Sequence, residues 1–372
     1  MGNSSGNYAI FKQVAGGKKN FIMETKFEVI DEKNIDETVI AQAGQILKDG
    51  GLVAFPTETV YGLGGDALNK ASSKKIYAAK GRPSDNPLIV HIAELEKLKP
   101  IVREIPENAK KLAESFWPGP LTMILKKSEA VPLETTGGLQ TVAVRMPNHP
   151  VALAMIKAAG GYVAAPSANT SGKPSPTLAR YVREDMDGRI DMILDGGQVG
   201  IGLESTIVDL TQEEPMILRP GYITREMLEQ VLGVPVAMDK TMMRADCKEP
   251  PKAPGMKYRH YAPKGDLTII AGKEAEVVQR INALAKTMQE KGEKVGIIGT
   301  DETISRYHGD SVKSAGNRNE EETVARELYR ILREFDDENV TVIYSEAFEE
   351  SGIGQAIMNR LLKAAGHHIE NI

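Results

Sequence analysis

Between about residues 239 and 264 the hydrophobic periodicity of this chain stops. Pro250, Pro251, Pro254, Gly255 and Pro263 punctuate the stretch. Proline fixes φ and removes a backbone donor, so neither a helix nor a central strand runs through it. The remainder must fold as two units joined there. The length of 372 residues fits that division, because single hydrophobic cores stop growing at about 250–300 residues. The expected organisation is a disordered leader over residues 1–26, a first domain over 27–238, a linker or lid over 239–264 and a smaller domain over 265–372. The leader is expected because residues 1–22 are rich in Gly, Ser, Asn and Lys with little periodicity.

In the first domain, short apolar runs at 52–55, 88–92, 121–125, 141–145, 162–165 and 205–210 read as strands. Helical patterns occupy 36–48, 71–79, 107–116, 150–159 and 224–232. Their irregular order predicts an α/β fold on a twisted mixed sheet. Beyond the break, strands at 267–271, 295–298 and 340–344 alternate with helices at 274–291, 320–335 and 354–365. Three βα units of this kind predict a Rossmann-like parallel α/β domain with helices on both faces.

Composition excludes several classes of function. A net charge of -5 argues against a protein that coats nucleic acid, since such domains carry a basic surplus. The single Cys247 can form no internal disulfide and no Cys-rich zinc site. There is no apolar run long enough to span a membrane and no secretory signal pattern, so a cytoplasmic location is expected. The P-loop, His-Glu-x-x-His, Gly-x-Ser-x-Gly and protein-kinase motifs are all missing. Gly62-Leu63-Gly64-Gly65-Asp66-Ala67 matches a dinucleotide-binding pattern, but Asp85, the acidic residue at the right distance, lies in a Pro-rich loop rather than at a strand end. It reads as a decoy.

Four clusters carry the chemistry. Pro56-Thr57-Glu58-Thr59-Val60-Tyr61-Gly62-Leu63 follows a buried strand, where α/β proteins often hold ligands, although a tight polar turn without function fits it as well. Lys80-Gly81-Arg82-Pro83-Ser84-Asp85-Asn86-Pro87 presents a point charge and a planar fork on one stiff loop, a pairing suited to phosphate, although read alone such a loop is more often a solvated surface turn. Asn86 adds an amide, and His91 stands on the strand after it. The third cluster comprises Thr141, Arg145, Ala164 to Asn169, Ser175, Ser205, Thr206 and Arg219. Arg145 and Arg219 each end an apolar strand, where a lone charge needs a bound anion or a carboxylate of the protein. The fourth runs from Pro254 to Pro263 within the linker. Two tyrosines, His260 and two cations are unusual in a passive spacer, which suggests a lid, with packing between domains as the alternative.

These clusters, in this order, resemble the two-domain form of threonylcarbamoyl-adenylate synthase, with its N-terminal YrdC-type domain and Rossmann-like C-terminal extension. The resemblance runs from about residue 28 to the C-terminus. It implies an enzyme that condenses L-threonine, bicarbonate or CO2, and ATP into threonylcarbamoyl-AMP and pyrophosphate. The product would pass to a tRNA threonylcarbamoyltransferase complex that modifies adenosine 37 of tRNA; direct tRNA binding stays open. The resemblance further implies that Thr59, His91, Arg145, Ala165 and Ser205 surround threonine, with Arg145 on its carboxylate. Arg82, Asn86, Thr141, Ser167, Ser175, Arg219 and Tyr261 would contact ATP, and Lys80 would lie near the α-phosphate and the bicarbonate-derived carboxylate. Lys80 and Arg82 are thus the expected catalytic pair. Where family members commonly have Ser before Pro-Gly-Met-Lys, this chain has Ala253, so no capping hydroxyl there is essential.

Such a reaction needs positioning and charge stabilisation more than an acid–base dyad, and no dyad is apparent. Mg2+ is expected to arrive with ATP, since no dedicated carboxylate cage is visible. The competing readings are an RNA-binding module, disfavoured by net acidity and by the lack of aromatic residues interleaved with Lys and Arg, and a carbamoyl-adenylate-handling transferase. One cysteine excludes the zinc-binding version of the latter.

Overall fold

The computed structural model describes residues 23–239, 253–254 and 260–372. The leader therefore falls mostly outside the described residues, although Lys26 already opens a strand. Pro250, Pro251 and the linker residues 255–259 also lie outside them.

The first sheet is built from β1 (Lys26–Val29), β2 (Val53–Phe55), β3 (Gly62–Asp66), β4 (Ile89–His91), β5 (Leu121–Lys126) and β6 (Thr141–Arg145), followed by β7 (Val163–Ala165), β8 (Met192–Asp195), β9 (Thr206–Asp209), β10 (Met216–Arg219) and β11 (Ala237–Met238). Their order across the sheet is β1-β8-β2-β3-β7-β4-β6-β5-β9-β10-β11. Pairing is mixed: β4 runs parallel to β6 and antiparallel to β7. The helices are α1 (Glu37–Lys48), α2 (Lys70–Lys80), α3 (Glu107–Phe116), α4 (Pro150–Ala158), α5 (Ala179–Met186) and α6 (Arg225–Leu232).

Residues alternate sides along a strand, and here the two sides are covered unequally. Val90, Val144 and Val208 pack under α2, α3, α5 and α6 through Ile76, Leu112, Val182 and Leu228. On the other side α1 and α4 cover only part of the sheet, placing Ala43, Leu47, Met155 and Ile156 on Val53, Phe55, Val163 and Ala165. Farther along that side, Ile89, Ile124, Ala143, Ile207 and Leu218 meet the connector residue Ala253, which is fully buried. The hydroxyl of a serine there would enter an apolar contact. The same side carries His91 and Arg145, each two residues beyond a buried apolar neighbour and paired in register with one another.

The glycine run that mimics a dinucleotide loop is strand β3. A Cβ on Gly64 would lie 2.9 Å from Val163, and one on Gly62 would lie 3.1 Å from the Phe55 ring. Close approach of neighbouring strands, not a phosphate, explains these glycines.

The second sheet contains β12 (Asp266–Ala271), β13 (Val295–Gly299), β14 (Ser311–Ser314), β15 (Val342–Glu346) and β16 (Ile369–Asn371) in the order β14-β13-β15-β12-β16. All its pairings are parallel, as a Rossmann-like arrangement requires. Helix α7 (Glu274–Glu290) covers one face. Helices α8 (Glu321–Asp337) and α9 (Gly352–Ala364) cover the other. Almost every residue of α9 is buried because it is sandwiched: its cluster with α8 also takes in Val60, Leu203 and Tyr261 from the first domain and the connector. No helix among the described residues is long and apolar enough to cross a membrane.

Candidate active site

The side of the first sheet that α1 and α4 leave uncovered is roofed by the connector and the second domain. A cavity lies on that side beneath the connector residues Pro254, His260 and Tyr261, a concave position of the kind in which small-molecule sites form.

Helix α2 delivers the cationic loop. Its last residue is Lys80, and Gly81 follows in the left-handed region at φ 61. No neighbouring atom crowds the place of a Cβ at Gly81, so glycine is needed there for its backbone conformation and not for space. The turn brings the Arg82 amide back to the Tyr77 carbonyl at 2.9 Å. Lys80 is 3 % exposed; its Nζ donates to the Ser167 carbonyl at 2.5 Å and to the Asn169 carbonyl. Burial, and then the nearby Arg82 charge, pull the ammonium well below its ordinary value. Arg82 donates to the carbonyls of Asn86 at 3.3 Å and Pro87 at 3.1 Å. Burial lowers it to about 10, so it stays cationic at neutral pH.

At the other end, β6 delivers Arg145. Its Nη1 donates to Thr59 Oγ1 at 2.9 Å and its Nε to the Gly119 carbonyl at 3.3 Å. Its Nη2 lies 2.7 Å from Glu58 Oε2, an ion pair angled too poorly to count as a hydrogen bond. Thr57 Oγ1 braces Thr59 Oγ1 at 2.9 Å. His91 sits beside them with Nδ1 3.1 Å from the Ile89 carbonyl. Burial, and then Arg145, lower it to about 3. It is neutral at physiological pH, which leaves Arg145 the cation of this end.

The wall between the two ends comes from β9, β10 and the loop after β7. The β9–β10 register shifts between Ile217 and Arg219, and such irregularities re-aim side chains. Arg219 turns its Nε to the Ser205 carbonyl at 3.0 Å and its Nη2 to Ser205 Oγ at 3.1 Å. Ser205 Oγ also meets Thr122 Oγ1 at 2.8 Å. Ser167 Oγ donates to Asn169 Oδ1 at 2.5 Å, and Ser175 Oγ to Glu204 Oε1 at 2.6 Å. Tyr261 closes the roof at φ 64, a strained value for a residue other than glycine. Its ring stacks on Tyr329 with centroids 5.2 Å apart.

Of the site residues expected from the sequence, Thr59, Lys80, Arg82, His91, Arg145, Ala165, Ser167, Ser175, Ser205, Arg219 and Tyr261 line this one cavity. Asn86 and Thr141 do not. Thr141 opens β6 four residues before Arg145 on the same side, ~13 Å along the strand, and Asn86 precedes the parallel neighbour β4 at the same end. Asn86 Oδ1 is buried without a hydrogen-bond partner among the described residues, so it keeps acceptor capacity.

Glu204 also lines the cavity without having been singled out in the sequence, His260 of the linker lines it too, and Glu58 stands just outside the lining against Arg145. The only signal for a carboxylate was indirect: Arg145 and Arg219 each end an apolar strand and need an anion. His260 is pulled to about 3, first by burial and then by Arg82, and its Nε2 has no hydrogen-bond partner among the described residues. No cluster of three or more His, Cys, Asp or Glu suited to a metal occurs among the described residues. Glu204, the carboxylate of the cavity, is engaged with Ser175, Tyr329 and Arg360, and Glu58 beside it with Arg145, so this donor set does not fit a metal held by the protein itself.

The chain is similar to known proteins along most of its length. The Sua5/YciO/YrdC family model, described as telomere recombination, matches residues 45–221. The model described as the C-terminal domain of threonylcarbamoyl-AMP synthase matches residues 223–366. A threonylcarbamoyl-AMP synthase of Bacillus subtilis is 50% identical over 351 residues, covering 93% of this chain and 99% of its own. One from Pyrococcus abyssi is 49% identical over 341 residues, covering 91% and 97%. The crystal structure of Pyrococcus abyssi Sua5 complexed with L-threonine superposes with a TM-score of 0.89 at 47% identity, covering 94% of this chain and 100% of that one. The chain belongs to the threonylcarbamoyl-AMP synthase family, in its two-domain form.

Proposed function

We propose that this chain is an L-threonylcarbamoyladenylate synthase, a nucleotidyltransferase that joins L-threonine, bicarbonate-derived CO2 and ATP and releases pyrophosphate. The observation that carries the reading is the division of one cavity into two ends on the same side of a sheet, Arg145 paired with Glu58 at one and the cationic group Lys80, Arg82 and Arg219 at the other. Two anionic substrates meeting there need no other chemistry than alignment.

Threonine sits at the Arg145 end. Its carboxylate takes Arg145 Nη2 in place of the poorly angled Glu58, with Thr59, Ser205, neutral His91 and the small Ala165 shaping the pocket. ATP lies along the other end, with its phosphates on Arg82, Arg219, Ser167 and Ser175, and with Asn86 and Thr141 at the far end. Tyr261 covers the nucleotide, and the linker serves as a lid. Mg2+ enters as part of the MgATP substrate.

The threonine ammonium first loses one proton to solvent, and the free amine attacks CO2 and becomes a carbamate. Bicarbonate supplies that CO2 together with a hydroxide, which takes the amine proton as water. A carbamate oxygen then attacks the α-phosphorus in line and the bond to the β-phosphate oxygen breaks. Lys80 and Arg82 stabilise charge on the α-phosphate and on the carbamate without transferring a proton. Pinned by the Ser167 and Asn169 carbonyls, Lys80 requires no reorganisation during the reaction. The product is handed to a tRNA threonylcarbamoyltransferase complex in the cytoplasm.

Incubation of the protein with ATP, Mg2+, threonine and bicarbonate is expected to form threonylcarbamoyl-AMP, detectable by mass spectrometry, with threonine-dependent release of pyrophosphate. Pyrophosphate release indifferent to threonine would falsify the reading.

A further inference from the structure

Three side chains of the second domain reach the back of the cavity wall: Arg333 holds the segment that carries Ser175, and Arg360 and Tyr329 hold Glu204, which accepts the Ser175 hydroxyl. Arg360, on α9, is completely buried. Its Nε donates to Glu204 Oε2 at 3.1 Å, its Nη1 to the Pro220 carbonyl at 2.5 Å and its Nη2 to the Glu204 carbonyl at 3.3 Å. Arg333, on α8, donates through Nε and Nη2 to the Pro174 carbonyl at 3.1 and 2.7 Å, and through Nη2 to Asp185 Oδ2 at 2.8 Å. Asp185 in turn accepts the Thr170 amide and Lys173 Nζ. Tyr329 donates its hydroxyl to Glu204 at 3.0 Å while its ring stacks on Tyr261. Glu204 is thus shared: one oxygen takes Ser175 from inside the cavity, the other takes Arg360 from outside it.

Burying so many charges is costly unless every one is matched. Burial alone would raise the Glu204 carboxyl; Arg360 first, then Arg219 and Ser175, overcome this and pull it to about 2. It is an anion standing a few atoms from the cations of the phosphate end. With Arg360 in place its charge is answered from behind. Without Arg360 the same carboxylate would be compensated chiefly by Arg219, in competition with a phosphate.

We infer that Arg360, with Tyr329 and Arg333, positions the nucleotide end of the cavity, holding Ser175 in place and keeping the Glu204 carboxylate off the cations that receive phosphate. The second domain is therefore a component of the ATP site and not of the threonine site. By reciprocity, bound ATP strengthens the docking of the second domain on the first. This rests on the ATP–threonine reading of the cavity. Failure of the wild-type chain to make threonylcarbamoyl-AMP would end that reading, whereas an active wild type with indifferent variants would end only this inference.

The test uses the full chain. Arg360→Met should raise the KM for ATP about tenfold or more, the scale of a lost hydrogen bond to a charged group. The Kd for threonine measured without ATP should stay within about twofold of wild type, because the affected contacts lie on the nucleotide side. Adding Glu204→Gln should recover most of the ATP KM, since it removes the stranded charge; damage to the fold alone would not be repaired by deleting a further interaction. Tyr329→Phe, which removes only one hydroxyl, is the variant to read if Arg360→Met does not fold, with an expected rise in ATP KM of about threefold. The inference is overturned by an unchanged ATP KM in the variants that fold, by equal losses of ATP and threonine affinity, or by a double variant no better than Arg360→Met.

Discussion

The two ends of the cavity hold their arginines in opposite ways. Arg145 faces a carboxylate of the protein itself, Glu58, at 2.7 Å. Arg82 donates to main-chain carbonyls, and Lys80 beside it does the same. Carbonyl dipoles hold a cation in position but do not neutralise it, so the Lys80–Arg82 end keeps its positive charge for an incoming anion. The Arg145 end is already charge-balanced, and an amino-acid carboxylate must win its place there. Strong fields suit a polyanionic nucleotide, and a balanced pocket suits a small zwitterion.

The most damaging way to break this contrast is Arg145→Ala. It strands Glu58 in a nearly buried place, and breaking a buried pair from one side costs about 3–5 kcal/mol. We expect a clear drop in the urea midpoint together with loss of threonine binding; a normal midpoint would mean that Glu58 is not dependent on Arg145. Arg82→Ala should spare the fold because its partners are neutral. It is expected to lose about 1.5–3 kcal/mol of transition-state binding, ~10–150-fold in kcat/KM, with an unaltered midpoint, and an unaltered rate would reduce the loop to a surface turn.

A third effect comes from His91 and His260, whose values drop from 6.5 unfolded to about 3 in the fold, chiefly through burial. Below pH 6.5 the unfolded chain takes up protons that the folded chain refuses, so stability falls as pH drops from about 6.5 towards about 3. Each histidine contributes a slope of somewhat over ~1 kcal/mol per pH unit. Urea melts between pH 7 and 5 would show it, and His91→Asn should make the slope shallower. A stability indifferent to pH in that range would show that the two rings are not held neutral. The smallest expected effect is the most discriminating in sign. Glu58→Gln should tighten threonine binding by a few-fold, on the order of 1 kcal/mol, because it removes the competitor for Arg145, whereas weaker binding would make Glu58 a ligand of the substrate instead.

What could be read from the sequence follows from where each signal is local. Thr141–Arg145 and Glu107–Phe116 were legible to the residue because an apolar run or a helical period spells them out. The strand Gly62–Asp66 was not, since glycine carries no propensity for a strand and its reason, the crowding by Phe55 and Val163, lies in neighbouring strands. The peripheral strands Ser311–Ser314 and Ile369–Asn371 escaped for a related cause: half-exposed edge strands are too short and polar to show an apolar alternation. At the site, Lys80, Arg82, Arg145 and Arg219 stood out as charges that a buried setting must answer. Which group answers each one is a long-range fact. Glu204 is joined to Arg360 across 156 residues of chain, and only a charged residue inside the apolar helix Gly352–Ala364 hinted at it.

The contrast between the two ends is tested most directly by titration calorimetry of wild type, Arg82→Ala and Arg145→Ala with threonine alone and with a non-hydrolysable ATP analogue in Mg2+. The expected result is crossed: Arg82→Ala loses the nucleotide and keeps threonine, and Arg145→Ala loses threonine and keeps the nucleotide. Equal losses of both ligands in both variants would contradict a cavity divided between two substrates.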